Sequence, residues 1–376
     1  MKRDTVPRQL LRLLQLLILG ILYIVIKAAA KAPAIVDAVY SQKIYPPIRN
    51  VVSFATRNVP FSVAEAAAGI VIVVIAVLLV VRIITLLCLK KGAFVRLLSL
   101  IISVVLTASY LIVAFYVMWG FNYFRTPVAE KLDLPDREYS VEELEKLCYE
   151  LAGHAVELRE EVDEDENGVF TFDFGAVSKS IRTSYSDFGA TRPSFKADVP
   201  VVKQLKFGDL FSRCSIAGIY VPFTEEPNVN SNEPALYKAF NAAHETAHYL
   251  GYAHEEDASF IAFLACMDSD DAALAYSTYM HALNHCANAL AKADRKSYSA
   301  LTAAYSDGMR KDFADYTEYY NKYSGTKTWE KSNELNDNYL KFNEQEKGVL
   351  SYEEDVALIL RYFDSRRFFD AATSND

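Results

Sequence analysis

Residues 235–266 read ALYKAFNAAHETAHYLGYAHEEDASFIAFLAC, and this stretch decides the reading of the whole chain. Ala235 to Leu250 is rich in Ala and Leu without an internal Pro or Gly, which is good helix composition, and Gly251 follows where helices commonly stop. On that helix His244 and His248 lie four residues apart and share one face, a separation that suits two ligands of one zinc ion. Glu245 stands beside them, where a carboxylate can take a proton from an activated water and pass it to a leaving amine. The pattern HExxH therefore predicts zinc as cofactor and peptide hydrolysis as chemistry.

Catalytic zinc usually takes three protein ligands and leaves one position open, so a third ligand is required. Two continuations of the sequence supply it. HETAHYLGYAH, His244 to His254, fits the metzincin pattern HExxHxxGxxH and nominates His254. EEDAS, Glu255 to Ser259, opens a second apolar helix and resembles the ExxxD or ExxxN element of gluzincin-type peptidases. That resemblance nominates Glu255 as the ligand and Ser259 as the support of a ligand histidine. A metzincin also needs a methionine turn, whereas Met267 ends an apolar helical run and Met280 lies inside the next helix. Glu255 is the expected third ligand, His254 the alternative, and Glu256 or Asp257 further candidates.

The segments PFTEEPNVN (222–230) and HETAHYLGYAHEEDAS (244–259), with WGFNYFR (119–125) and NDNYLKFN (336–343), resemble a family of bacterial membrane proteins, the domain of unknown function 3810 family. Its usual pattern has PFTGEANVN before HExxHxxGFAREDEAN. The family generally carries Arg where this chain has His254 and Glu where it has Glu255, so the resemblance favours Glu255. This chain departs from the pattern at His254, Asp257 and Ser259. The resemblance covers most of the chain and implies a membrane architecture with the metal motif, but no substrate.

Ile216 to Phe223 (IAGIYVPF) is β-prone, and Pro222 favours an edge position. An edge strand beside an HExxH helix is where an extended peptide pairs by backbone hydrogen bonds, which makes Gly218 and Tyr220 candidate substrate-binding residues. Tyr220 and Tyr352 are nominees for the oxyanion donor. Asn228 and Asn230 read as capping or loop residues. His281 and His285 form a second i, i+4 pair without a Glu between them, and read as interhelical polar contacts. DEDENG (163–168) opens like a calcium loop, but Phe174 stands where a bidentate Glu is needed, so a solvated acidic turn is expected.

Charge divides the chain. Residues 1–126 carry 14 Lys and Arg against 3 Asp and Glu, and residues 127–376 carry 25 against 45. Three apolar runs, at about 10–26, 66–89 and 94–119, lie in the basic part and predict three transmembrane helices, so that 1–126 is a membrane domain in the lipid bilayer. Lys2, Arg3, Arg8 and Arg12 before the first run, and Lys90, Lys91 and Arg96 between the second and third, place the N-terminus in the cytoplasm and residues 127–376 outside. Ile44 to Phe61 is expected to lie along the interface, and Trp119, Tyr123 and Arg125 to anchor the third span. The acidic outer part argues against nucleic acid as a partner and leaves a peptide or protein substrate outside the cytoplasm.

The expected fold of 127–376 is mainly α with a small β-sheet, an α+β zincin-like catalytic domain. Helices are predicted at 140–160, opened by a Ser140 and Glu143 capping box, and at 234–250, 256–267, 271–293, 295–323, 328–345 and 351–368, with a mixed region from Val169 to Phe223. The five cysteines, at 88, 148, 214, 266 and 286, form no metal or redox motif, and Cys266 and Cys286 read as buried thiols. The leading reading is a membrane-anchored zinc metallopeptidase. Its rival keeps the zinc helix as a structural or sensory element. Intramembrane proteolysis is disfavoured, because HETAH lies more than 100 residues beyond the last apolar run.

Overall fold

A computed structural model describes residues 5–88, 93–343 and 354–369. It divides into two compact units, Met1–Arg125 with Pro222–Thr224, and Thr126–Val221 with Glu225–Asp376.

The first unit is helical. Helices α1 (Thr5–Ala29), α2 (Tyr45–Thr56), α3 (Val63–Cys88) and α4 (Ala93–Met118) follow in order. Stretches of α1, α3 and α4 at Leu10–Ala29, Val63–Thr85 and Phe94–Met118 are long and apolar enough to cross a membrane, and almost all of their side chains face outward. Between α1 and α2 the chain winds as a π-helix, Val36–Ile44, which turns Asp37, Tyr40 and Ser41 inward. Asp37 there meets Arg125 at 3.2 Å, Ser41 donates to Asn122 Oδ1 at 2.8 Å, and the Tyr40 hydroxyl donates to the Val117 carbonyl at 2.9 Å. Helix α2 buries Tyr45, Arg49, Ser53 and Thr56 on one face and exposes Val51 and Phe54 on the other.

The structure corrects the expectation for the anchor of the third span. Trp119, Tyr123 and Arg125 are all buried. Trp119 packs on Phe115 and Tyr123, and the Arg125 guanidinium is drawn inward by the Asp37 carboxylate, so these groups close the unit's own core. The charges of Lys2, Arg3, Lys90, Lys91 and the side chain of Arg8 lie outside the described residues.

The second unit is mostly helical around a three-stranded sheet. Its longer helices are α5 (Val141–Arg159), α6 (Phe174–Thr191), α7 (Ala235–Tyr249), α8 (Glu255–Cys266), α9 (Ala272–Ala293), α10 (Arg295–Ala303), α11 (Asp307–Tyr323), α12 (Lys327–Phe342) and α13 (Glu354–Ser365). The Ser140 and Glu143 capping box opens α5 as expected, with Ser140 accepting from the Glu143 amide and Glu143 from the Ser140 amide. One predicted helix, 295–323, is two, because Ser306 caps a new start at α11 by accepting from the Met309 amide. Residues 344 and 345 of one predicted helix and 351–353 of the next lie outside the described residues.

The region from Val169 to Phe223 holds more order than its sequence suggested. Helix α6 runs for 18 residues from an Asp173 cap, and it buries Val177, Ile181, Tyr185 and Phe188 at helical spacing. Strands β1 (Lys203–Leu205), β2 (Gly218–Val221) and β3 (Glu226–Asn230) form a sheet in the order β1, β3, β2, parallel between β1 and β3 and antiparallel between β2 and β3. The NVN segment, with asparagines expected to cap a helix or order a loop, is thus part of the buried centre of the sheet. Among the described residues most of its polar groups find partners there, Asn228 Oδ1 excepted. Glu226 pairs with Lys203, Asn228 donates to the Glu226 carbonyl at 2.8 Å, and Asn230 donates to Ser212 Oγ and the Ile216 carbonyl, both at 3.0 Å. β1 pairs only from Asn228 onward, so Pro227 has a single strand neighbour and no ladder is broken by its missing amide.

Helix α7 lies at the middle of the unit, against β2 and β3 on one side and α8 and α9 on others. From Ala242 to Tyr249 every residue is buried. Tyr185 of α6 donates to the Ala243 carbonyl at 2.6 Å. Ser277 of α9 accepts from the Phe240 amide at 3.1 Å and donates to the Leu236 carbonyl at 2.8 Å, so its hydroxyl stands within the α7 ladder one turn before His244. Cys148, Cys214, Cys266 and Cys286 are free thiols, and Cys266 and Cys286 are buried as expected. DEDENG forms a tight turn in which the Asp165 carboxylate accepts from the Asn167 and Val169 amides, at 2.8 and 3.0 Å.

A buried polar node ties α5, α9 and α11 together. Asp312 accepts from Arg159 Nε at 2.6 Å, from the Tyr276 hydroxyl at 2.6 Å and from the Phe170 amide at 2.8 Å. Removing the carboxylate leaves a guanidinium, a phenol and an amide short of an acceptor. Asp312→Ala is therefore expected to lower the unfolding free energy of the full chain in detergent by about 3–5 kcal/mol, and a loss below roughly 1 kcal/mol, the ordinary value of a surface pair, would show that the node is not structural.

Candidate metal centre

Three side chains converge at the end of α7. His244 Nε2 lies 3.1 Å and His248 Nε2 3.6 Å from Glu255 Oε2, and one ligand atom from each residue falls within 4.8 Å of the others. The two imidazole rings stand perpendicular with centroids 4.6 Å apart. Two nitrogens and a carboxylate oxygen form a donor set that suits zinc, and they are close enough to reach one ion at about 2.0–2.2 Å from each ligand.

The local chain explains why they meet. Gly251 adopts φ +86°, the left-handed conformation that ends a helix with little strain only for glycine. The chain then doubles back, and the Tyr252 carbonyl comes within 2.7 Å of His248 Nδ1. A carbonyl only accepts, so His248 carries a proton on Nδ1, and the neutral ring directs its Nε2 lone pair at the cluster. His244 Nδ1 is held at 3.1 Å by Ser259 Oγ, one turn into α8. Both imidazoles are fixed from behind by groups that aim their other nitrogens.

Charge at the site is unevenly held. Burial pushes His244 below its ordinary pKa. For His248 burial acts the same way, but the adjacent Glu255 carboxylate outweighs it and lifts the ring to about 9. Burial would raise Glu255, yet the His248 and His244 rings hold its carboxyl well below the usual range. Glu245 is buried between α7 and β2, and burial lifts it to about 8 against the opposing pull of His248 and of the Tyr220 amide, which donates to it.

Gly218 has a sharper place than its sequence suggested. A Cβ there would lie 2.5 Å from Glu245 Oε1 and 2.8 Å from its Cγ, so the missing side chain is the space the carboxylate occupies. Together with the Tyr220 amide it makes β2 the wall that positions Glu245. The Tyr220 hydroxyl donates to Glu225, and its ring lies 6.4 Å from that of His248. Tyr352 lies outside the described residues.

A family model described as a protein of unknown function (DUF3810) matches residues 40–360. The chain belongs to the DUF3810 family. Neither a curated protein nor a solved structure matches it. Within this DUF3810 chain the other nominees for the third ligand are engaged elsewhere. His254 Nδ1 lies 3.6 Å from Glu256 Oε1, and the buried Asp257 accepts from the Val128 amide at 3.2 Å. Met267 ends α8 and Met280 is buried inside α9, so neither forms a turn beneath the cluster. The contribution of the Tyr252 backbone was beyond sequence reading, because a carbonyl leaves no side-chain signal.

Two outcomes test this geometry. The neutral form of Glu245 is favoured in the fold, so its stabilising contribution is complete below its ordinary pKa of 4.5 and is lost as pH rises through about 8. In chelator-treated protein Glu245→Gln should flatten the decline of unfolding free energy across that window, by on the order of a few kcal/mol, whereas an unchanged slope would refute a neutral Glu245. Gly218→Ala should cost about 1–3 kcal/mol through overpacking, and a structure of that variant should show the Glu245 carboxylate displaced from the Tyr220 amide.

Proposed function

We propose that this protein is a membrane-anchored zinc metallopeptidase whose ligands are His244, His248 and Glu255 and whose general base is Glu245. The observation that carries the reading is the meeting of those three ligand atoms beside a fourth, separately held carboxylate. A site that served structure alone has no use for Glu245, a buried carboxyl kept next to the ligands by a glycine and a backbone amide. Bound by the two histidines and Glu255, zinc supplies a Lewis acid that polarises the scissile carbonyl and makes water a nucleophile near neutral pH. Glu245 accepts the proton of the attacking water and delivers it to the departing amine. Ser259 and the Tyr252 carbonyl keep the imidazoles in place through both steps.

The substrate class follows from β2. It is the edge strand of the sheet on the side away from β1, it borders α7, and Ile219 is exposed along it. An extended peptide adds there as a further strand, passing Gly218 and Tyr220 on its way to Glu245. The basic first unit and acidic second part support a cytoplasmic N-terminus, three crossings and a catalytic domain that meets peptides or proteins outside the cytoplasm.

The test uses the full chain in detergent, with zinc per chain and peptide-library cleavage measured together. Glu245→Gln is expected to keep its zinc and to lose cleavage by at least about 100-fold. Glu255→Ala is expected to lose zinc while His254→Ala retains it; the reverse would move the third ligand to His254. Bound zinc with no cleavage by either wild type or Glu245→Gln would replace the peptidase with a structural or sensory zinc protein.

A further inference from the structure

Helix α9 carries its own pair of histidines, His281 and His285, one turn apart with ring centroids separated by 4.2 Å. Opposite them stands Asp355, on the first turn of α13. Asp355 Oδ2 lies 2.8 Å from His285 Nδ1, and one ligand atom from each of the three residues falls within 4.8 Å of the others. We propose that His281, His285 and Asp355 form a second metal site, one that takes a divalent transition ion of the zinc class.

An ion pair between His285 and Asp355 accounts for part of this arrangement and leaves two features unexplained. The Asp355 side chain is only 3% exposed, and its second oxygen, Oδ1, is buried with no hydrogen-bond partner among the described residues. Leaving such an acceptor unsatisfied is costly, and more so for a charged group. His281 is brought within ligand distance of the same carboxylate although one histidine suffices for an ion pair. A divalent cation among the three groups resolves both, because it satisfies the carboxylate and uses the second imidazole. Ligand bonds of about 2.0–2.2 Å place the donors of a tetrahedral site roughly 3.5 Å apart, within reach of small side-chain rotations from the observed spacing. Two imidazoles and one carboxylate select zinc, cobalt, nickel or copper over magnesium or calcium. His281 and His285 are partly exposed, which gives an ion a way in.

The second site is separable from the first, for the two share no ligand. They are nonetheless neighbours in the fold. Phe240, one turn before His244 on α7, stacks on the His281 ring at 3.8 Å.

The experiment counts metal on the full chain in detergent, stripped with chelator and re-equilibrated with Zn(II) alone. Wild type should bind two zinc ions per chain, His244→Ala/His248→Ala one, and His281→Ala/His285→Ala one. Asp355→Asn, nearly isosteric and able to keep a contact with His285, should bind the second ion at least 10-fold more weakly with an unchanged near-ultraviolet circular dichroism spectrum. One ion in wild type, kept by His281→Ala/His285→Ala and Asp355→Asn, would overturn the proposal and leave the peptidase reading intact. One ion in wild type, kept by His244→Ala/His248→Ala and lost with His281 and His285, would support the second site while removing the first.

Discussion

Four ionisable side chains, the buried His244, Glu245 and His248 and the largely covered Glu255, lie together where α7 meets α8, and their withdrawal from water sets the terms for everything around them. Charged groups withdrawn from water need partners, and an imidazole that is to bind a metal must present one chosen nitrogen. The chain meets both needs with few parts. A glycine turn returns a carbonyl to one ring, a serine one turn into α8 supports the other, and an edge strand with a gap at Gly218 holds Glu245 by a backbone amide. Each of these is a local solution to an electrostatic demand, and together they account for the order strand, helix, turn, helix in this part of the sequence.

The site was the most legible part of the chain, because HExxH, Gly251 and the Glu255 to Ser259 spacing each encode a contact at short sequence range. Three apolar runs were equally plain, since nothing but length and composition is needed to recognise them. Legibility failed where tertiary context overrode local preference. β3 is buried across all five residues although two are asparagines, one a proline and one a glutamate, and no alternation marks such a strand. Glu226 and Asn230 are satisfied by Lys203, Ser212 and a loop carbonyl that sequence does not place beside the strand. Helix α6 was missed for a different reason, namely that its Ser, Thr and Gly residues dilute the propensity while the Val177, Ile181, Tyr185 and Phe188 stripe stays intact.

In the first unit the same physics runs in reverse. Helix α2 and the preceding π-helix turn Asp37, Ser41, Arg49 and Ser53 inward and leave Val51 and Phe54 outside, which suits surroundings less polar than water at those two positions. The burial of Trp119, Tyr123 and Arg125 belongs to this pattern. Aromatic and basic residues at the end of an apolar run suggest anchors to lipid headgroups, but here the Asp37 carboxylate is a nearby internal partner that competes successfully for the guanidinium.

Ser277 has a consequence for how this protein can change. Its hydroxyl occupies a link of the α7 ladder, so α7 cannot slide or rotate against α9 without breaking two hydrogen bonds at once. His281 and His285 follow it by one and two turns on the same helix. Adding or deleting a single residue in that interval would swing the histidines by about 100° around the axis relative to the pin. A substitution along α9 leaves that spacing intact, whereas an insertion or deletion between Ser277 and His285 turns both histidines away from the face that Ser277 fixes.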